Sequence, residues 1–344
     1  MSQKHTTRLV GGMLAGALVL AACGSDSDGG DDAASDDNGI VTVYTGRHYG
    51  IEPVFENFTA ATGIEVRFTT GNDPELRERL LAEGDNTPAD VIMTADASNI
   101  ELSAEAGALA SVESTVLTDT IPEELRSADN DWFTLSQRAR VVIHSIERVD
   151  NPPTTYAGVG DPEWDGRICL RPSTHPYTQS LVASLVIAEG EERATEIVQS
   201  WVDNDPLYIN SDTDIYRAVA AGECDVAIAN TYYLGRLLEE DPEFPVAIVW
   251  PEQDTRGAHV NVSTAAVTAN APNPDNALAL IEWLATDGQK EFADANFEFP
   301  ADPSVVPNEI IASWGDFTAD LGAVRELGAN QPTAISILSA TSYE

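Results

Sequence analysis

The chain has 344 residues, 43% of them hydrophobic, which is near the composition of ordinary globular proteins and long enough for about two domains. This excludes a wholly disordered, collagen-like or polytopic membrane protein, since past residue 22 no run offers the ~18 consecutive apolar residues of a spanning helix. Eighteen Lys and Arg against 57 Asp and Glu leave a net charge of −39, a surface that repels phosphate backbones and speaks against nucleic-acid binding while suiting solubility, high salt or cations.

Lys4 and Arg8 precede an apolar and small-residue run over 9–22, too short for a span and right for a secretory core. It ends Leu20-Ala21-Ala22-Cys23, which resembles the lipobox of bacterial lipoproteins. The resemblance implies a signal peptide over 1–22, cleavage before Cys23 and a lipid on its sulfur, placing the protein on the extracytoplasmic face of the cell membrane by its anchor alone. An ordinary signal peptide with an incidental Cys is the other reading. Residues 24–39 hold six Asp and no large apolar side chain, so together with Cys23 they form a flexible, self-repelling tether. Cys169 and Cys224 remain. Each opens an apparent strand, and export permits a disulfide between them; two separate buried thiols are the alternative.

The body then alternates. Strands are expected at 40–44, 64–68 and 90–93, each followed by a helix, at 51–61, 74–82 and 98–106. Residues 111–132 break the pattern with polar and turn residues. It resumes with a strand at 139–144, a Pro-rich loop over 151–166, strands at 168–171, 207–209, 224–229, 246–249 and 260–268, and helices at 178–187, 193–202, 214–221, 232–239 and 275–285, with further helices beyond. Two α/β series of similar size predict two lobes. A ligand would bind past the carboxyl ends of the strands, in the cleft between lobes.

Three such strand ends carry unusual chemistry: Arg47-His48-Tyr49, His175-Pro176-Tyr177 and Asn230-Thr231-Tyr232-Tyr233 hold four of the nine tyrosines and two of the five histidines. A free phenol ionises near pH ~10, so only a strong Lewis acid holds several as phenolates near neutrality. Ferric ion fits that description, whereas calcium and magnesium prefer carboxylates and carbonyls. Three phenolates balance Fe³⁺ and a fourth leaves one negative charge, which Arg47 or Arg140 would offset. The plain reading, half-buried tyrosines with wet hydroxyls, stays open on the residues alone.

These three segments, with Thr87-Pro88-Ala89-Asp90-Val91, Arg138-Ala139-Arg140 and Gly257-Ala258-His259-Val260-Asn261, resemble the motifs of bacterial ferric-iron-binding proteins of ABC importers, from about residue 40 to the end. The resemblance implies an α/β, two-lobed type 2 periplasmic-binding fold, with two mixed sheets flanked by helices, closing on one ion, with residues 40–138 and about 260–344 in the first lobe, 139–259 in the second, and a hinge at the crossings near 138–144 and 257–263. Carried over by position, the ligands fall on His48 and Tyr49 in the first lobe and Tyr177, Tyr232 and Tyr233 in the second. Some relatives use fewer tyrosines plus a carboxylate and an anion such as phosphate or carbonate; the matches at Tyr49 and Tyr177 imply the Tyr-rich type, in which no anion is obligatory. Thr178 departs from the Asn common in such sequences, beside a ligand and not at one. His175 reads as a surface loop residue, His144 as structural, His259 as hinge support. The implied cargo is Fe(3+), with no organic cofactor; the implied partners are an ABC permease and its ATPase, the protein acting as a monomer.

Three rival readings remain. An enzyme lacks support, since there is no Gly-x-Ser-x-Gly elbow, His-Glu-x-x-His or Walker loop. A binder of phosphonate, thiamine or another anion on the same fold would use Arg47, Arg140 and Arg171 as clamps. A purely structural surface lipoprotein is the third.

Overall fold

The computed structural model describes residues 39–47 and 50–344. The expected signal peptide, Cys23, the expected tether up to Asn38, and His48 and Tyr49 lie outside the described residues.

In chain order the first α/β series comprises β1 (Ile40–Thr45), α1 (Ile51–Thr62), β2 (Glu65–Thr70), α2 (Asp73–Glu83), β3 (Val91–Thr94), α3 (Ala97–Glu105) and α4 (Thr115–Thr120). A long β4 (Phe133–Ser145) leads into β5 (Ile168–Leu170), α5 (Pro176–Glu189), α6 (Glu191–Asp203), β6 (Leu207–Tyr208), α7 (Asp212–Ala221), β7 (Val226–Asn230), α8 (Thr231–Glu240) and β8 (Val246–Val249). The chain returns through β9 (Ala258–Val267), α9 (Pro274–Ala285), α10 (Gln289–Asp294), β10 (Phe299–Pro300), α11 (Glu309–Ala312), β11 (Ala319–Asp320) and α12 (Leu327–Ala340).

The strands run in the order β2-β1-β3-β9-β4-β7-β5-β6, with β8 and β10 also on β4 and β11 on β9. β1 is parallel to β2 and β3, and β5 to β6 and β7, while β4 and β9 run antiparallel to their main neighbours. β4 divides its partners. Phe133–Ala139 pairs with β9, and Arg140–Ser145 with β7 and β8. One strand therefore joins two mixed sheets, and the α/β architecture is as expected. The C-terminal α12 packs on α5 and α6 of the second series as well as on α3 of the first.

Two local expectations need correction. The strand expected over 139–144 begins six residues earlier, at Phe133. Thr134, Ser136 and Arg138 make that stretch read as polar, with Gln137 between the last two, but all three are buried. Within the stretch read as irregular, 115–120 is helical, with Ser114 capping Leu117 N–H.

Cys169 and Cys224 form a disulfide, their Cα atoms 5.8 Å apart and 55 positions apart in sequence. Closing a loop of that length removes denatured-state entropy worth about 4 kcal/mol. Cys169→Ala/Cys224→Ala is expected to lower the urea midpoint accordingly; an unchanged midpoint would contradict a stabilising bridge.

Candidate metal centre

The three sequence-predicted turns follow β1, β5 and β7. At the first, Thr45 Oγ1 donates to Arg47 O (2.8 Å) and accepts from Arg47 N (3.1 Å), pinning the turn. At the second, Pro176 occupies the first turn of α5, where its missing N–H costs nothing, and His175 is the N-cap, its Nδ1 accepting from Tyr177 N at 3.1 Å. His175 is thus a half-buried capping residue and not a surface loop residue. Burial, with Arg171 and Arg140 nearby, pushes its pKa down to about 3, so the ring stays a neutral acceptor. At the third, Tyr232 and Tyr233 stand in the first turn of α8. Gly235 lets that helix approach Phe297 closely: a Cβ there would sit 2.7 Å from the Phe297 side chain.

Tyr177, Tyr232 and Tyr233 converge. Tyr177 Oη lies 3.2 Å from Tyr232 Oη, and the Tyr232 and Tyr233 rings are 4.0 Å apart. Burial, then the neighbouring Tyr177 and Tyr233, push the Tyr232 phenol well above its ordinary pKa; burial and Tyr177 raise Tyr233 likewise. Both phenols therefore hold their protons unless a cation displaces them.

Cations surround this cluster. The Arg138 and Arg140 guanidinium carbons lie 5.5 and 5.8 Å from the Tyr177 ring centre, and that of Arg236 lies 5.3 Å from Tyr232 and 5.8 Å from Tyr233. Arg138 is buried, bonded to Ala95 O and to Ser263 Oγ (3.3 Å), with Glu298 at 3.9 Å. Glu298 also pairs with Arg47 (2.8 Å). Burial opposes its charge, yet Arg47 and Arg138 hold its pKa below the usual carboxylate range. Asp212 plays the same part between Arg140 (2.8 Å) and Arg171 (3.0 Å), which depress its pKa against burial. Two arginines share one carboxylate at each of these two points, so each triad keeps one net positive charge. A field of that sign lowers the cost of phenolates. Arg140 and Arg138 face the phenols; Arg47 stands one ion pair further back, on Glu298, with its guanidinium over the Phe292 ring.

A cavity of about 460 Å³ borders this cluster, lined by Gly46, Asn72, Asp73 and Asp96 from the first series and by His175 and Tyr177 from the second. A larger one, about 590 Å³, is walled by Gln137 and residues of the 299–321 segment, and none of Tyr177, Tyr232 and Tyr233 lines it. Among the described residues no cluster of three His, Cys, Asp or Glu side chains is arranged for a metal. His144 lies in β4 against Ser145 O (3.2 Å). His259 is buried, its Nε2 2.8 Å from Ser180 Oγ; Asn261 Nδ2 donates to that same hydroxyl and to Asp96 Oδ2.

Sequence reasoning missed Arg236, Glu298 and Asp212, and left Arg138 without a role. Arg236 was legible, since it follows Tyr232 by four positions and Tyr233 by three on one helix. Arg138 shares a strand face with Arg140, two positions on. Glu298 and Asp212 gave no signal among the many acids.

This fold and site define a binding protein, and the chain belongs to the bacterial extracellular solute-binding protein family, which matches residues 54–319. Membership places it outside the cytoplasm and makes it a solute binder and not an enzyme. Iron uptake protein A1 of Synechocystis is 37% identical over 96% of this chain and 95% of its own length. A Trichodesmium protein solved in complex with iron and citrate superposes with a TM-score of 0.84 at 35% identity, covering 89% of this chain and all of that one. The apo FutA2 protein of Synechocystis superposes at 0.82, with 38% identity over 89% of this chain and 99% of its own.

Proposed function

We propose that the protein captures ferric iron through the phenolates of Tyr177, Tyr232 and Tyr233, joined by Tyr49 and His48, and delivers it to an ABC permease and its ATPase. The observation that carries this reading is the meeting of Tyr177 and Tyr232 hydroxyls at 3.2 Å beside arginines held by two shared carboxylates. The similarity to iron uptake proteins supports it. In this reading residues 40–138 and about 260–344 form one lobe and 139–259 the other. The protein works as a lipid-anchored monomer, held at the membrane by Cys23. The rival anion-binding reading is weaker because Arg47, Arg140 and Arg171 are already engaged by Glu298 and Asp212.

Titrating residues 24–344, stripped of metal, with ferric nitrilotriacetate is expected to raise a visible phenolate-to-iron band that saturates at one equivalent. No band, and no iron retained on gel filtration, would sink the reading. Binding is also expected to strengthen with pH. Tyr232 and Tyr233 hold their protons well above neutrality, so each ligating phenol releases one proton to the solvent. A plot of log affinity against pH that is flat between pH 5 and 8 would show that phenols do not ligate.

A further inference from the structure

The turn that presents Tyr177 is held from behind. Tyr343 Oη donates to Arg171 O at 2.9 Å, and Thr178 Oγ1 reaches the same carbonyl at 3.3 Å. Ser173 N donates to Glu344 O at 2.7 Å, and Gln179 Nε2 to Ser173 O at 3.1 Å. Tyr343 itself is buried, its ring 4.9 Å from that of Tyr208. Burial pushes its phenol well up, so it remains a donor. The helix that carries it there, α12, lies along α5 and is tied to it by Gln331 Nε2 to Gln179 Oε1 (3.1 Å). Residues 171–175 are thus gripped between α5 and residues 343–344, immediately before the candidate ligand.

We propose that Tyr343 is a positioning residue for the ion site: its bond to Arg171 O fixes the β5–α5 turn and, through the His175 cap, the place of the Tyr177 phenol. Nothing in Tyr343 touches the phenol cluster; it acts through the turn and through Thr178, whose side chain also meets its hydroxyl. The inference rests on reading Tyr177 as a ligand. Ligand groups left without their outer partners typically lose ~10–100-fold in metal affinity, because sites tolerate displacements of only about 0.5 Å.

The test is Tyr343→Phe in residues 24–344, which keeps the ring on Tyr208 and removes only the hydroxyl, with its bonds to Arg171 O and Thr178. Two readouts are needed. Hydrogen exchange of the metal-free protein is expected to speed up in peptides covering 171–180 relative to the rest of the chain. Ferric release to a chelator is expected to accelerate about 10-fold, with a shifted phenolate-to-iron band and a melting temperature close to that of the parent. A purely structural Tyr343 would lower the melting temperature and leave band and release rate unchanged, and that outcome overturns the proposal. Unchanged exchange over 171–180 also overturns it, whatever iron does. If the parent protein shows no band at all, the ferric reading fails separately, and the exchange result still decides whether Tyr343 holds the turn.

Discussion

Tyr232→Phe/Tyr233→Phe is expected to lose the visible iron band and to release ferric iron on gel filtration, while folding like the parent. The rings stay, and with them the tilted ring contact at 4.0 Å, whereas both oxygens go. A hydrogen bond to a charged group contributes about 1.5–3 kcal/mol, and coordination to a trivalent ion is stronger. Two lost ligands therefore cost at least about 3–6 kcal/mol, or roughly 10²–10⁴-fold in affinity. Competition with nitrilotriacetate measures the change. A double variant that holds iron as the parent does would remove α8 from the site.

Glu298→Gln is expected to destabilise the fold about as much as removing the disulfide. It leaves the guanidinium groups of Arg47 and Arg138 buried without their carboxylate, both under 5% exposed. Breaking a buried ion pair in this way costs about 3–5 kcal/mol, to be read from the urea midpoint at pH 7. The pH dependence follows from the direction of the shift. Glu298 has a depressed pKa when folded. Its contribution is fully present above the unfolded carboxylate value of about 4.3 and is lost as pH falls through the lower folded value. The variant should therefore show a flatter acid limb than the parent. Equal midpoints at pH 7 would mean that the two arginines find other anions.

The alternation of strands and helices was legible because each element has its own period and its own stop, as at β1, α1 and Gly63. The candidate ligands were legible for a related reason: Tyr177, Tyr232 and Tyr233 follow strand ends, where an α/β fold presents ligands. What could not be read was the company they keep. Glu298 stands 251 positions from Arg47, and no local pattern marks one acid among 57 as the partner of two buried arginines. The first half of β4 was missed for the same cause. Ser136 and Arg138 look like a wet face until Glu298, Ser263 and Arg47 are brought over them. His175 was misjudged because imidazole is an uncommon cap, where Ser, Thr, Asp and Asn are the usual choices.

The thirteen residues of β4 set a limit on how this chain can vary in length. Arg138 is tied to first-sheet neighbours and Arg140 to second-sheet neighbours, and both reach Tyr177 because residues two apart share a strand face. Inserting or deleting one residue between them would turn one guanidinium to the opposite face, and doing so upstream would flip the whole run. Homologous chains and engineered variants are therefore expected to gain and lose residues in the flanking loops, at 126–132 and 146–166, while keeping the Arg-x-Arg spacing. Aligning chains on that spacing would recover the register of both sheets even where the tyrosines themselves have changed.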